Sequence, residues 1–394
     1  MSSPLLYKKF SKTFHFNHAE IIQMCGNSKF PFRIGKLDCE DVQWEHVNPV
    51  IVNLTFKEFT DWLNESKNVS KTIEKFSSDK YWAYSAYNRV PDYFEPKQIA
   101  KLNLNWKSLH FEKDRYEELT FWIGSRGSYT PLHRDSYGYN LVIQIFGRKT
   151  WILFPPQDDK YLKPSRKNYE ESSIYSKINL LNPTLQDVDS LNKCSPHYVV
   201  LEAGDVLYVP RGWWHFVISE EFSFTINTWV DVGKLDDVSR VYESIVKYFV
   251  TIFYNENDNE FGIKPFDEEE VCNADKIKSA MDIMTQAVEI VLNNQHENNI
   301  ETNVNSEWRS VLEKITKDES ELNNNGVEHS ALFLKKLQGF DGMKTKLQMF
   351  FSSKSYKYKE YTKSTPNEDT NDFFDVITSQ KVLDVIFSEL CNKS

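Results

Sequence analysis

The sequence predicts a mainly β fold with α elements: a barrel or sandwich of short strands over residues 119–232, followed by a helical region. Three observations carry this. Short apolar runs between 119 and 232 are each stopped by glycine or proline, the punctuation of an all-β unit. Beyond about 233 the apolar residues recur at three- and four-residue steps, the period of an amphipathic helix. Aromatic residues make up 14 % of the 394-residue chain, and they suit a pleated, half-buried surface.

Three stretches follow: 1–78, mixed α/β elements flanking the barrel; 79–234, the barrel; and 235–394, helical with Asn-rich linkers. In the first, Phe32-Arg33-Ile34 reads as a strand. Thr55 to Trp62 reads as a short helix, with Thr55 as N-cap and Glu58 three residues on, the spacing of a capping box. Tyr81 to Tyr87 reads as a strand. In the barrel, Leu119 to Gly124 stops at its glycine, Asn140 to Ile145 is broken by Gly147, and Lys149 to Phe154 is closed by Pro155-Pro156. Residues 157–196 are polar and read as loop. Tyr198 to Leu201, Asp205 to Val209 and Phe222 to Val230 give three more strands. In the last stretch Val238, Val241, Ile245, Phe249 and Ile252 mark one helix, and Ile277, Met281, Met284, Val288 and Val291 a second. Residues 293–305 and 322–325 are Asn-rich and read as linkers. Phe373 to Ile377 and Val382 to Leu390 are the last apolar stretches.

The formal net charge of −10 repels polyanions on average, so nucleic-acid binding would need a local basic patch. Basic runs do not exceed a pair, as in Lys8-Lys9 or Lys335-Lys336. The five cysteines, Cys25, Cys39, Cys194, Cys272 and Cys391, are odd in number and widely spaced, with no CxxC pair, which argues against a cysteine zinc site. Met1 to Phe16 has no continuous apolar core of a secretory signal, and no apolar run is long enough to span a membrane. The expected compartment is a reducing one, the cytosol, with the nucleus as alternative.

The chemistry centres on Thr130-Pro131-Leu132-His133-Arg134-Asp135. His133 and Asp135 are two apart, so on an extended segment they share a face. A second imidazole, His215, follows Gly212-Trp213-Trp214 about 80 residues on. Two imidazoles and one carboxylate leave three octahedral positions open, which suits non-haem Fe(II); zinc accepts the same ligands. A lone His-x-Asp is usually an inert pair, and a Trp-Trp-His run can simply pack a barrel mouth. The order strand, His-x-Asp, two strands, then Gly-Asp-Val-Leu-Tyr-Val-Pro and the Trp-Trp-His turn is far more specific. His15, His18, His46, His110, His296 and His329 lie outside the β segment and read as surface or packing residues; His197 is a spare imidazole within it. On Lys149 to Phe154, Lys149, Trp151 and Leu153 share one parity, so Lys149 faces inward if its apolar companions do. The plain alternative is that Arg148 and Lys149 are solvated turn charges.

Residues 119–232 resemble a JmjC (cupin-like) oxygenase domain, in particular that of the small-heat-shock-protein-associated JmjC proteins. The resemblance rests on Phe121 to Ser125, Thr130 to Tyr137, Gly147-Arg148-Lys149, Leu153 to Pro156, Tyr169 to Ser173 and Ser176 to Asn179, with Trp82-Ala83-Tyr84 upstream and Asp372 to Asp375 near the C-terminus. It implies a double-stranded β-helix (jelly roll) holding Fe(II) on His133, Asp135 and His215. It implies 2-oxoglutarate as co-substrate with O2, its distal carboxylate on Lys149 and Thr130, with Asn140, Asn227 and an upstream tyrosine, Tyr84 or Tyr81, also in contact. No side chain beyond the metal ligands is needed as a catalyst. Three functions compete: hydroxylation of a protein side chain, hydroxylation of tRNA or another nucleic acid, and non-enzymatic binding of a small heat-shock protein in stress response. The helical stretches 236–254 and 275–292 either cover the barrel or form a homodimer.

Overall fold

The computed structural model describes residues 3–10, 18–38, 41–44, 49–66, 69–102, 115–254, 261–266, 274–296, 331–337, 339–347 and 373–393. The strands are β1 (Leu5–Tyr7), β2 (Lys29–Lys36), β3 (Val50–Thr55), β4 (Tyr81–Arg89), β5 (Thr120–Gly124) and β6 (Tyr129–Asp135). They continue with β7 (Tyr139–Phe146), β8 (Lys149–Phe154), β9 (Pro164–Glu170), β10 (Ser173–Ser176), β11 (His197–Leu201) and β12 (Val206–Val209). The last are β13 (Trp214–Ser219), β14 (Ser223–Val230), β15 (Lys264–Pro265), β16 (Ala331–Phe333) and β17 (Lys335–Lys336). The helices are α1 (His18–Cys25), α2 (Phe56–Leu63), the one-turn α3 (Val90–Tyr93) and α4 (Pro96–Ile99), and α5 (Leu185–Leu191). After the barrel come α6 (Lys234–Phe253), α7 (Ala274–His296), α8 (Gly339–Leu347), α9 (Phe373–Ile377) and α10 (Gln380–Lys393). Among the described residues no helix is long and apolar enough to cross a membrane.

One sheet runs in the order β16-β1-β12-β7-β14-β5-β4-β2-β3, the other β15-β9-β10-β6-β13-β8-β11-β17. Along the chain β5 to β8, and again β11 to β14, alternate between the two sheets. That alternation is the double-stranded β-helix. Full burial on both faces explains the near-continuous apolar runs: all six residues of β8 and all six of β13 are buried. Parity divides β8. Trp151 and Leu153 pack inward with Val142, Leu201 and Val217 of both sheets, while Ile152 and Phe154 pack outward with Trp214, Phe216 and Phe340. The turn from β7 to β8 requires Gly147, whose φ is +68° and where an added Cβ would collide with the Phe222 carbonyl.

The outer face of the first sheet is covered by α1 and α2, with Phe30, Phe32, Phe56, Phe59, Phe121 and Phe224 in one cluster. Burying a phenylalanine side chain stabilises by about 1.5–3 kcal/mol, so this layer anchors the sheet that backs the site. The expected capping box is present: Thr55 Oγ1 accepts from the Glu58 amide (3.1 Å) and the Thr55 amide donates to Glu58 (2.8 Å).

Several expectations change. Residues 157–196 are not all loop; they hold the β9–β10 hairpin and α5. The hairpin strands are Pro164 to Glu170 and Ser173 to Ser176. They carry little apolar alternation because their polar groups bond across to other elements. The α5 start was readable, since Thr184 and Asp187 form a capping box. Trp214 to Ser219, read as a turn and its sequel, is a central strand. Asn293 to His296 continue α7 instead of opening a linker; the rest of 293–305, and 322–325, lie outside the described residues. Helices α6 and α7 pack with α9, α10 and Tyr169 of β9 in a separate cluster.

Candidate active site

The site begins with a register. Strands β6 and β13 are antiparallel neighbours in which His133 lies directly opposite His215, so the two rings meet at 4.1 Å between centroids. Each Nδ1 is tied to the carbonyl two residues back, Pro131 for His133 (2.8 Å) and Trp213 for His215 (3.0 Å). A ring whose Nδ1–H donates keeps its Nε2 lone pair for a metal. His133 Nε2 is 3.9 Å from Asp135 Oδ1, and Asp135 Oδ2 accepts from Trp229 Nε1 at 3.0 Å. One ligand atom from each of His133, Asp135 and His215 lies within 4.8 Å of the others.

Burial sets the charge state. It pushes His133 down to about 3, helped by the neighbouring His215, and His215 down to about 4. It pushes the Asp135 carboxyl up, against the attraction of His133. Two neutral imidazoles beside a largely buried carboxylate form a donor set that gains from a cation. The residues therefore fit a divalent metal, held on three positions with the rest open.

The co-substrate residues meet in the same cavity, of about 410 Å³, lined by both sheets. Tyr84, Thr130, Asn140, Lys149 and Asn227 all line it with the three ligand residues. Lys149 is only 3 % exposed; its Nζ sits 5.1 Å over the Tyr84 ring, and Tyr84 and Thr130 share a hydroxyl contact of 3.3 Å. A buried ammonium favours an anionic group beside it, and the far carboxylate of a dicarboxylate fits this end. Trp151 also lines the cavity, stacked 5.6 Å from His215. Its buried Nε1 has no hydrogen-bond acceptor among the described residues, an orphaned donor that suits a ligand rich in oxygen. Asn227 Nδ2 donates to Asn140 Oδ1 (2.9 Å) and Asn227 Oδ1 accepts from Trp122 Nε1 (2.7 Å), so both amides are oriented.

Two bulges decide who faces the cavity. Between Thr130 and His133, β6 carries one residue more than β13 opposite. The extra residue falls at Pro131-Leu132, and a proline, which cannot donate to the ladder, is tolerated at a bulge. Thr130 and His133 thus share a face although they are three apart. In β4 the register shifts between Ser85 and Asn88, with Tyr87 at φ +56°, so Tyr84 and Tyr87 both line the cavity. No bulge separates Tyr81 from Tyr84. Tyr81 therefore points to the other face, edge-on to Phe76 at 5.2 Å, and the structure does not bring it to the site.

Trp229, Trp122 and Tyr87 were not anticipated as site residues. Trp229 had a weak signal: it is two residues from Asn227 on β14, hence on the same face. His197 packs edge-on to Trp213 at 5.2 Å. His18 opens α1 and His296 closes α7, while His15, His46, His110 and His329 lie outside the described residues.

Comparison with known proteins agrees with this geometry. A family model described as a cupin-like domain matches residues 27–232. The chain is 38 % identical over 237 residues to human HSPB1-associated protein 1, covering 60 % of this chain and 48 % of that protein. It is 29 % identical over 206 residues to the chicken 2-oxoglutarate and iron-dependent oxygenase JMJD4, covering 48 % and 44 %. It is 36 % identical over 117 residues to human tRNA wybutosine-synthesizing protein 5, covering 30 % and 35 %. The chain thus spans about half the length of the HSPB1-associated relative it matches. Because the matched span runs from before β2 to the end of β14, and so takes in every strand of the barrel, this chain belongs to the JmjC-type cupin-like domain family.

Proposed function

We propose that the protein is an Fe(II)- and 2-oxoglutarate-dependent oxygenase that hydroxylates a side chain of a partner protein. The observation that carries this reading is Lys149, a buried ammonium in the same cavity as the His133, Asp135 and His215 cluster. The relatives named as 2-oxoglutarate and iron-dependent oxygenases support the same kind of activity.

With iron on His133, Asp135 and His215, the site supplies oxidative chemistry that couples decarboxylation of 2-oxoglutarate to hydroxylation of a C–H bond by O2. The chain's own residues do the rest. Lys149 and Thr130 hold the distal carboxylate, while Asn140 and Asn227 orient the end nearest the metal. The Trp229 indole fixes the free oxygen of Asp135, so that one oxygen stays aimed at the ion. Trp122, Trp151 and Tyr84 exclude water from the reacting centre. No side chain is required as a general base.

The relatives named for association with HSPB1 support a small heat-shock protein as the first partner to try. The expected result is an anaerobic Fe(II) and 2-oxoglutarate charge-transfer band, followed by succinate release that the protein partner stimulates. If neither metal nor 2-oxoglutarate moves the melting temperature, the oxygenase reading falls and a binding role on the same scaffold stands. Stimulation by total tRNA alone would remove the protein substrate instead.

A further inference from the structure

Arg134 stands between two of the candidate ligands, and strand alternation sends its side chain to the opposite face of β6. There it lines a second cavity, of about 590 Å³, together with Arg166, Arg211 and Lys381. The first turn of α10 borders the same space.

The acids of this cavity are already engaged. Glu243 receives the buried Arg166 guanidinium, the Ser136 hydroxyl (2.6 Å) and the Ser172 amide (3.2 Å). Asp375 receives the Ser165 hydroxyl and the Arg166 amide (both 3.0 Å) and pairs with Lys177 at 2.7 Å. The cations retain capacity. A guanidinium has five N–H donors, yet Arg134 donates no hydrogen bond to another described residue. Its Nε is buried without an acceptor, 3.3 Å from Asp159 in an ion pair, and its guanidinium carbon lies 5.6 Å over the Trp214 ring. Arg211 spends Nε on Asp236 (2.8 Å) and Nη2 on the Leu235 carbonyl (3.1 Å) and on Ser239. Its Nη1 remains. Lys381 is exposed and makes no ion pair with another described residue. The N-terminal end of α10, a 14-residue helix, adds a partial positive charge. Burial, and the nearby Arg166 and Arg211, hold the Arg134 guanidinium below its usual range. What this cavity has to spare is mostly donors; Asp375 Oδ2, ion-paired with Lys177 but without a hydrogen bond among the described residues, is the exception.

We propose that the cavity binds a small molecule bearing an oxyanion, a phosphate ester or a carboxylate, held between Arg134, Arg211 and Lys381. Such a ligand links the strand of His133 and Asp135 to α10 and to the turn that precedes His215. It is independent of the oxygenase reading.

The test is thermal unfolding of the full chain with inorganic phosphate or acetate, at ionic strength held constant with sodium chloride. A saturable rise in Tm with either probe is expected, and the stronger of the two identifies the ligand's anionic group. Arg134→Gln is expected to abolish the rise; because it also gives up the ion pair with Asp159 and the contact with the Trp214 ring, the rise is read against the variant's own starting Tm. Lys381→Gln is expected to raise the half-saturating concentration at least about threefold. The proposal is overturned if neither probe raises Tm, or if Arg134→Gln responds normally. Should Arg134→Gln not fold, an unchanged half-saturation in Lys381→Gln overturns it alone.

Discussion

The two faces of β6 sit one residue apart in sequence and solve opposite problems. On one face burial strips charge from His133 and His215 and lifts the carboxyl of Asp135 toward its neutral form. On the other, Arg134 stays a cation while donating no hydrogen bond to a described neighbour. The first face gathers lone pairs and suits a cation; the second gathers N–H donors and suits an anion. The contrast teaches that a strand buried on both sides can serve two polar cavities, provided that neighbouring strands supply the complementary half of each. For the first face that half is β13, in register. For the second it is Arg211, from the turn before β13, and Lys381 of α10.

The sharpest way to break the contrast is to remove the carboxylate from the metal face. Asp135→Ala is expected to lose Fe(II) binding by more than about 100-fold, with its far-UV circular dichroism unchanged; ligand loss leaves two imidazoles, too few to hold the ion. Global unfolding of this variant would mean that the pair is structural. Next comes Lys149→Met, for which 2-oxoglutarate binding, read as an anaerobic Tm shift with Mn(II) present, is expected to weaken about 100-fold, or about 2.7 kcal/mol. Metal binding without 2-oxoglutarate should stay as it was. Trp229→Phe keeps a ring and removes the hydrogen bond to Asp135 Oδ2. Its metal affinity is expected to fall about 10-fold, measured by competition with a chromophoric chelator.

The smallest effect is one of pH. In metal-free protein the imidazoles of His133 and His215 titrate well below the ordinary 6.5, at about 3 and about 4. Their burial is harmless above 6.5, where folded and unfolded rings are both neutral. As pH falls below 6.5 the unfolded chain takes up protons that the folded chain refuses, so stability drops until the folded rings protonate. A Tm series from pH 7 to pH 4 is expected to decline, and His215→Gln to decline less steeply. Equal slopes would show that the rings are hydrated.

Much of the candidate site was legible because its determinants are local. The His-x-Asp spacing, the parity that links Lys149 to Trp151 and Leu153, and the Thr55–Glu58 capping box each depend on residues within one element, where backbone geometry alone fixes the relation. The central strand that carries His215 was read as a turn, since a continuous buried run framed by glycine and tryptophan has no distinguishing period. The β9–β10 hairpin was missed because its polar residues are satisfied by partners far along the chain, among them Asp375 and Glu243. The sequence by itself determined a β barrel or sandwich and the three candidate ligands, named the jelly roll through the family resemblance, and tied Lys149 to whichever face Trp151 and Leu153 take. Only the tertiary structure decided that Tyr84 and not Tyr81 faces the cavity, that Thr130 joins His133, and that Trp229 braces Asp135. Those outcomes hang on bulges and on inter-strand register, and register is set by partners that no single segment encodes.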